Sequence, residues 1–217
     1  MIKDLISYVN TLSKKIFSGQ LKFKDDNGNN FPRWKVKKLG EVLIKNSTKN
    51  KTLKYSTVQS VSNKYGFINQ EDFFEDRRVA SIDTSNYYVI DKGCFAYNPS
   101  RIDVGSLAYK TDNNISVISP LYVSFRADNK HLIDNYLLNW FFCTEFIHQM
   151  HNSFEGSVRN TLSYESLERI NISIPDITEQ IKVSDYLSSI SSKIEIETNI
   201  LQKLEGQKTF FLANLFI

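Results

Sequence analysis

The chain has 217 residues with a formal net charge of +3 at pH 7, and hydrophobic residues make up 41% of it. This length allows one large domain or one domain with an appendage, and the apolar content is ample for a core. The sequence has no long uninterrupted apolar run of the membrane-spanning kind and no apolar signal-peptide core near Lys3 and Asp4, so we expect a soluble protein in the cytoplasm.

The first predicted element is an amphipathic helix over residues 4–18, where apolar residues recur at helical spacing and Gly19 follows as a stop. The next segment, residues 21–32, is polar and rich in Asp, Asn and Gly, which is typical of a linker. The globular domain is therefore expected to begin at residue 33.

Short β-strands are predicted between residues 34 and 126. Alternating or β-rich runs separated by turn clusters place them at residues 55–61, 87–90, 94–97, 105–109, 115–118 and 121–126. One helix with apolar residues on several faces is expected over residues 133–151, followed by a short helix capped by Ser163 and a strand at residues 171–174. The pattern indicates an α+β fold, a mainly β domain with packed helices.

A long helix is predicted over residues 176–217, with Asp176 and Glu179 at the spacing of a capping box. Its apolar residues recur in steps of three and four, which is typical of a helix that packs along one partner helix. We assign this seam to a dimer or subunit interface and expect the terminal helices to form an antiparallel, coiled-coil-like pair. Docking of the helix on its own domain is the alternative. The seam residues are Leu187, Ile190, Ile194, Leu201, Leu204 and Phe211.

Positive charge is concentrated between Arg33 and Ser60, where eight basic residues stand against one acid, Glu41. The basic residues are interleaved with Asn, Ser, Thr and Tyr, among them Asn46 and Asn50, and such side chains contact phosphates and base edges. A solvated surface explains most runs of this kind. Nucleic-acid binding is the alternative.

Metal binding is weakly indicated. His148 and His151 are spaced i, i+3, with Cys143 or His131 nearby in sequence, but no carboxylate falls at a matching spacing. The two cysteines, Cys94 and Cys143, are too few and too distant for a disulfide framework. We therefore expect buried thiols and no metal site.

Catalytic motifs are also weak. The sequence Asp128-Asn129-Lys130 matches half of a nuclease site, but a turn is the better interpretation because an acidic partner is missing. The sequence Tyr97-Asn98-Pro99-Ser100 partly matches the Asn-Pro-Pro-aromatic loop of DNA amino-methyltransferases, yet Ser100 and Arg101 replace the second proline and the aromatic ring. A glycine-rich cofactor motif is absent from the sequence. We expect neither catalysis nor a cofactor.

Four stretches of the sequence carry motifs, at residues 15–41, 97–106, 156–163 and 174–180. Their opening residues are Lys15-Ile16-Phe17-Ser18, Tyr97-Asn98-Pro99-Ser100, Gly156-Ser157-Val158-Arg159 and Ile174-Pro175-Asp176-Ile177. In this order and spacing, the four stretches resemble the specificity (S) subunit of type I restriction-modification systems, and the resemblance extends over nearly the whole chain.

The resemblance implies a non-catalytic protein. An S subunit carries two target recognition domains joined by two long antiparallel helices, each domain recognises half of a bipartite DNA site, and methyltransferase and restriction subunits dock on it. This chain corresponds to about half of such a subunit, as an expressed fragment or a natural half subunit that pairs with a second copy or another S half. Its expected divisions are the end of the central helix (1–20), a linker (21–32), the target recognition domain (33–175) and the C-terminal conserved helix (176–217).

Candidates for contact with double-stranded DNA follow from side-chain chemistry. The motifs at residues 98–101 and 156–160 are equally open to a structural role, because motifs shared by domains with different targets cannot encode the difference. Base contacts are rather expected within residues 45–64 and 73–86. A protein that modulates the assembly of other subunits through its helices is the alternative function. The candidates are Lys49, Lys51, Lys54, Tyr55, Arg77, Arg78, Asn98, Ser100, Arg101, Ser157, Arg159 and Asn160.

Overall fold

The computed structural model describes residues 2–73, 83–155 and 160–215, and it confirms the expected α+β fold. Its helices are α1 (Ile2–Phe17), α2 (Gln70–Phe73), α3 (Asp134–Phe141), α4 (Thr144–Asn152), α5 (Tyr164–Glu168) and α6 (Ile177–Leu215). Its strands are β1 (Lys35–Lys38), β2 (Leu43–Lys45), β3 (Val58–Ser62), β4 (Gly66–Asn69), β5 (Tyr88–Ile90), β6 (Phe95–Tyr97), β7 (Leu107–Tyr109), β8 (Ser116–Ile118), β9 (Val123–Ala127) and β10 (Asn171–Ile174). Sequence reasoning missed β1, β2 and β4.

The strands form three sheets. β1 pairs antiparallel with β10, which brings the beginning and end of the domain together. The first four-stranded sheet has the order β2-β9-β6-β7, and the second has the order β4-β3-β8-β5, with β3 and β8 parallel. Because β8 and β9 are consecutive but belong to different sheets, the turn between them, residues 119–122, crosses from one sheet to the other.

Several aromatic side chains pack together in the main core, which lies between the first sheet and the helices. Phe95 on β6 stacks on Phe125 on β9, with ring centroids 5.4 Å apart and planes 4° apart. Phe141 of α3 packs on both rings at 6.0 and 5.9 Å. Burying each such ring contributes about 1.5–3 kcal/mol. A smaller cluster of Ile90, Cys94, Ala96 and Ile118 lies between the two sheets' strands.

The prediction of a single helix over residues 133–151 is wrong, because the chain turns between α3 and α4. Cys143 is the N-cap of α4, and its sulfur accepts a hydrogen bond from the Phe146 amide at 3.4 Å. The turn allows both helices to bury aromatic rings against each other, with Phe146 5.1 Å from Trp140 and 4.8 Å from Phe141. The apolar residues on several faces, which the sequence pattern placed on one helix, are thus buried by two helices.

The start of α6 is anchored by two buried polar side chains. The side-chain amide of Gln180 donates to the main-chain carbonyl of His131 at 2.7 Å, and its oxygen accepts from the Ile133 main-chain amide at 3.0 Å. These bonds join α6 to the start of α3. Glu179 accepts a hydrogen bond from the Trp34 indole at 2.9 Å, and burial raises its pKa. Glu179 therefore bonds to the domain's first residues, while Asp176 alone caps the helix by accepting from the Thr178 amide at 2.9 Å.

Residues 21–32, interpreted from sequence as a linker, form a structured turn on α6. Lys24 and Asn30 make an isolated β-bridge. Lys182 of α6 donates to the Asp26 carboxylate at 2.6 Å and to the Lys24 carbonyl at 2.9 Å. The ring of Phe23 lies edge-on to that of Tyr186, 5.6 Å away. These contacts fix the direction in which α1 enters the domain.

The 39 residues of α6 span about 58 Å and fall into two parts. In the first part Leu187 is 2% exposed within the domain's own core, and Ile190 packs against that core. This corrects the assignment of Leu187 and Ile190 to an intermolecular seam, since α6 docks there on its own chain. Further along, Ile194 and Leu201 are half-buried. Leu204 and Phe211 are exposed, as are Ile196, Ile200, Phe210 and Leu212.

A polar network joins Lys110, which follows β7 of the first sheet and is 1% exposed, to side chains of the second sheet. Its ammonium donates to the Asp112 carboxylate at 2.8 Å and to the Gln59 side-chain carbonyl at 3.1 Å. Gln59 also accepts from the Ser116 hydroxyl at 2.7 Å and donates to Asn69 at 3.0 Å. The hydrogen bond from Lys110 holds the pKa of Asp112 below its ordinary value.

We expect Lys110→Ala to lower the free energy of unfolding by about 1–3 kcal/mol, because the Gln59 side-chain carbonyl loses a buried donor and the half-exposed Asp112 carboxylate loses its partner. Since the folded-state pKa of Asp112 is depressed, its stabilisation is present above the unfolded pKa and is lost as the pH falls through the folded pKa. Urea unfolding at about pH 7 and about pH 3 measures both effects, and the variant should be less sensitive to acid. Lys130→Ala at an exposed lysine is the control; equal losses in both variants would contradict the importance of the network.

Candidate nucleic-acid interface

A groove crosses the domain beside the turn between β8 and β9. It consists of two adjoining cavities of about 300 and 500 Å³, and both are lined by Pro99 and Leu121. We call it the β8–β9 groove. Its other walls are the end of β2 with Tyr88, the loop at residues 98–101, and the segment at residues 161–165.

Two segments distant in sequence are hydrogen-bonded together along this groove. The buried hydroxyl of Tyr97 donates to the Leu162 carbonyl at 3.0 Å, and the Leu162 amide donates to the Pro99 carbonyl at 3.0 Å. Burial raises the pKa of Tyr97, so its hydroxyl remains a proton donor. Ser163 then caps α5, as predicted, by accepting from the Ser166 amide at 3.1 Å. Two of the four sequence motifs thus form adjacent walls.

The loop at residues 98–101 is shaped by its own polar groups. The side-chain oxygen of Asn98 accepts from the Ser100 amide at 3.0 Å, and the Asn98 carbonyl accepts from the Arg101 amide at 3.0 Å. A 3-10 turn follows and ends at Gly105, whose φ of 85° favours glycine. Asn98 therefore shapes the loop, while Ser100 and Arg101 are exposed in the groove.

The basic loop at residues 46–57 is held by two asparagines. Asn50 is 1% exposed; its side chain donates to the Tyr55 carbonyl at 2.8 Å and accepts from the Tyr55 amide at 3.2 Å. Asn46 donates to the Val89 carbonyl at 2.8 Å. Both residues have chemistry suited to base contacts, but their hydrogen-bonding groups are engaged by the backbone. Lys51 and Lys54 remain exposed on this loop.

Two lysines lie at one end of the groove. The Lys49 ammonium is 3.2 Å from the centroid of the Tyr88 ring, and Tyr88 lines the groove. Lys45 lies 4.7 Å from the Tyr164 ring centroid and 3.3 Å from the Glu165 carboxylate. Side chains of the Lys45 pair are at least half exposed, so the pair adds little stability and Lys45 can exchange its partner for a phosphate.

The structure brings part of the predicted DNA-contacting set to one face. Asn98, Ser100 and Arg101 line the groove, Lys49 covers its Tyr88 wall, and Asn160 is an exposed neighbour of the 161–165 segment. Lys51, Lys54 and Tyr55 lie on the basic loop that leads from the lysine end into β3. The candidates Arg77, Arg78, Ser157 and Arg159 lie outside the described residues.

The individual candidates omitted Lys45, Leu121 and Glu165, among other groove residues. Lys45 belongs to the basic run and to residues 45–64, where base contacts are expected, but it is not one of the individual candidates. Leu121 lies within a predicted strand, residues 121–126, where an apolar residue is ordinarily assigned to the core. Glu165 gave no signal, since its pairing with Lys45 spans 120 positions.

The described residues offer no cluster of three or more His, Cys, Asp or Glu side chains able to hold a metal ion. Asp128 forms the predicted turn by accepting from the Lys130 and His131 amides at 3.2 and 3.0 Å. Cys94 and Cys143 are buried free thiols. Among the helices of the described ranges, none is long and apolar enough to cross a membrane.

One family model matches most of the chain. Residues 32–206 match the model of the type I restriction modification DNA specificity domain, whereas no curated protein sequence matches the chain. The HsdS subunit from Thermoanaerobacter tengcongensis is similar in structure, with a TM-score of 0.58 and 15% identity over 83% of this chain and 47% of that one.

Two further solved structures share the fold. The S subunit of a type I restriction-modification system from M. genitalium has a TM-score of 0.56 and 13% identity over 97% of this chain and 54% of that one. A chain from a structure on complex assembly and conformational transition of the type I R-M system has a TM-score of 0.59 and 17% identity over 95% and 49%. The present chain spans about half the length of these three chains.

We expect Asn50→Ala to loosen the basic loop and to lower the free energy of unfolding by about 1–3 kcal/mol, because the Tyr55 amide and carbonyl lose their buried partner. Amide hydrogen exchange should accelerate at residues 50–57, where the loop opens locally, and in β6 and β9 by no more than the lower free energy of global unfolding allows. Thr52→Ala, at an exposed position of the same loop, is the matched control. Unaltered protection of Tyr55 in Asn50→Ala would show that the asparagine does not hold the loop.

Proposed function

Because the chain belongs to the family of type I restriction-modification DNA specificity proteins, we propose that it recognises the sequence of one half of a bipartite DNA target. The observation that carries this proposal is the β8–β9 groove. Basic side chains stand at both of its ends, Lys45 and Lys49 at one and Arg101 at the other, and hydrogen-bonding and apolar groups lie between them. Such an arrangement suits phosphate contacts at the ends and base contacts in the middle.

The protein provides recognition, and the chemistry belongs to its partners. We infer that methyltransferase and restriction subunits bind this chain and that it contributes no catalytic residue of its own. The buried state of both thiols and the engagement of Asn98 in its own loop support this inference. A location in the cytoplasm, where those partners and the DNA would be met, stays a prediction.

The far part of α6 supports an assembly role that accompanies recognition. Ile194, Leu201, Leu204 and Phe211 follow heptad spacing, and the last two are exposed beyond the part of the helix that packs on the domain. Pairing with a second copy of this chain, or with another S half, would bury this stripe. Two domains held at a fixed distance would then recognise the two halves of an interrupted site.

Replacement of Lys45, Lys49 and Arg101 by alanine, singly and together, should weaken binding to duplex DNA. Each lost phosphate contact reduces the slope of log affinity against log salt concentration by about 0.9, so the triple variant should lose up to about 3. Fluorescence anisotropy with a duplex selected from a random pool, in the presence of a type I methyltransferase subunit, measures affinity and slope.

Lys92→Ala is the matched control. Lys92 lies before β6, and the groove residue Asn98 lies after it, so the two residues are at opposite ends of this strand. The control should bind like the unmodified chain. If Lys92→Ala weakens binding as much as each single variant does, the effect reflects net charge, and the groove is not the binding surface.

Changing Leu204 and Phe211 to Asp should abolish self-association, since two carboxylates would enter the apolar stripe of α6. Analytical ultracentrifugation should then report a monomer with unchanged circular dichroism. Gln207→Asp adds a negative charge to the same part of the helix outside the stripe and should leave association intact. A monomeric unmodified chain would instead direct attention to other S halves and the methyltransferase as partners.

A further inference from the structure

Leu121 has the highest exposure, 79%, among the large hydrophobic residues that the described ranges contain. Single exposed apolar residues are common on protein surfaces and need no explanation by themselves. Leu121, however, lines both cavities of the β8–β9 groove, at the place where the two adjoin. Its side chain is therefore presented at the middle of the proposed DNA-binding surface.

The turn that carries Leu121 is held by hydrogen bonds and a proline. The Ser119 hydroxyl accepts from the Leu121 amide at 3.3 Å, the Ser119 carbonyl accepts from the Tyr122 amide at 3.1 Å, and Pro120 fixes its own backbone angle φ. The Tyr122 hydroxyl accepts from the Val61 amide at 3.4 Å, and its ring packs on the small core cluster. Because β8 and β9 hold the turn from two sheets, Leu121 has a fixed position without a buried environment.

The neighbours of Leu121 in the groove are both apolar, such as Pro99 and Val123, and polar. Ser100 and Arg101 lie on one side, and Thr161 and Ser163 lie in the adjoining cavity. In the major groove of DNA, the base edges present hydrogen-bonding groups, and thymine alone adds a methyl group at C5. A highly exposed apolar side chain with hydrogen-bonding groups within the same groove is thus complementary to a thymine flanked by other base edges or phosphates.

We propose that Leu121 is a specificity-determining residue that makes an apolar contact with the C5-methyl group of a thymine in the target half-site. The proposal rests on the proposed function, DNA recognition through the β8–β9 groove. It assigns a T·A base pair to the position that the turn between β8 and β9 reaches, and it leaves phosphate contacts to the lysines and Arg101.

The test combines protein variants with a single-methyl change in the DNA. A target is selected from a random duplex pool with the full chain and a type I methyltransferase subunit, and each thymine of that target is then replaced by uracil, which removes only the C5-methyl group. The unmodified chain should lose affinity about 3- to 5-fold at one thymine position. Leu121→Ala should bind the thymine target about as weakly and should not respond to uracil at that position.

Ile44→Ala is the matched control, because Ile44 is another exposed aliphatic residue, on β2 next to Lys45 and outside the cavities' lining. It should keep the full response to uracil. Thermal unfolding of Leu121→Ala should match that of the unmodified chain, since the replaced side chain is exposed.

The outcomes separate the two proposals. Recovery of no sequence motif would overturn the proposed function itself. A motif with no uracil-sensitive position, or with a position that stays sensitive in Leu121→Ala, would retain DNA recognition and overturn the role of Leu121. If Leu121→Ala weakens binding to the thymine and uracil targets by the same factor, the difference in affinity between the two targets is retained. That result would identify Leu121 as a wedge between base steps and would likewise overturn the methyl contact.

Discussion

The hydrogen bonds between Tyr97, Pro99 and Leu162 are the constraint on which the candidate interface depends. They join the loop after β6 to the segment before α5, more than 60 positions later, and so create two walls of one groove. The third wall, the turn between β8 and β9, needs no such tie because it is fixed by strands of two sheets. A buried tyrosine hydroxyl is suited to this role, since its partner carbonyl would otherwise be left unsatisfied in the core.

Buried hydrogen bonds also fix the position of α6. The Gln180 side chain donates to main-chain carbonyls before α3 and after β10, and Glu179 accepts from the Trp34 indole. Leu187 extends this contact by packing in the apolar core. The first part of the helix is thereby fixed in direction by its own domain. Because a helix is stiff over this length, that direction is transmitted to the exposed part, about 30 Å away. A partner bound there is held at a defined distance from the groove, which is what a bipartite target requires.

Sequence reasoning located most strands, α1, α5 with its Ser163 cap, and α6, because these elements have strong periodicity or local capping signals. It failed where the decisive contact is distant in sequence. The break between α3 and α4 follows from packing of Trp140 and Phe141 on Phe146, and Leu187 joined the domain core although its spacing matched a heptad. In the candidate site, the basic residues were predictable from composition, but Leu121 and the Lys45–Glu165 pair depend on a tertiary arrangement that no local pattern encodes.

The roles of the polar side chains in this region are divided in a physically consistent way. Asn46, Asn50 and Asn98 all hydrogen-bond to main-chain groups of their own or neighbouring loops, and so they set backbone shape. The side chains exposed in the groove, such as Ser100, Arg101 and Leu121, contribute little to the shape of the backbone. Exchanging an exposed side chain leaves the main-chain hydrogen bonds in place, so the groove's chemistry can change while its shape persists. Such a division would suit the proposed recognition of base pairs, because the contacting side chains can differ on one scaffold.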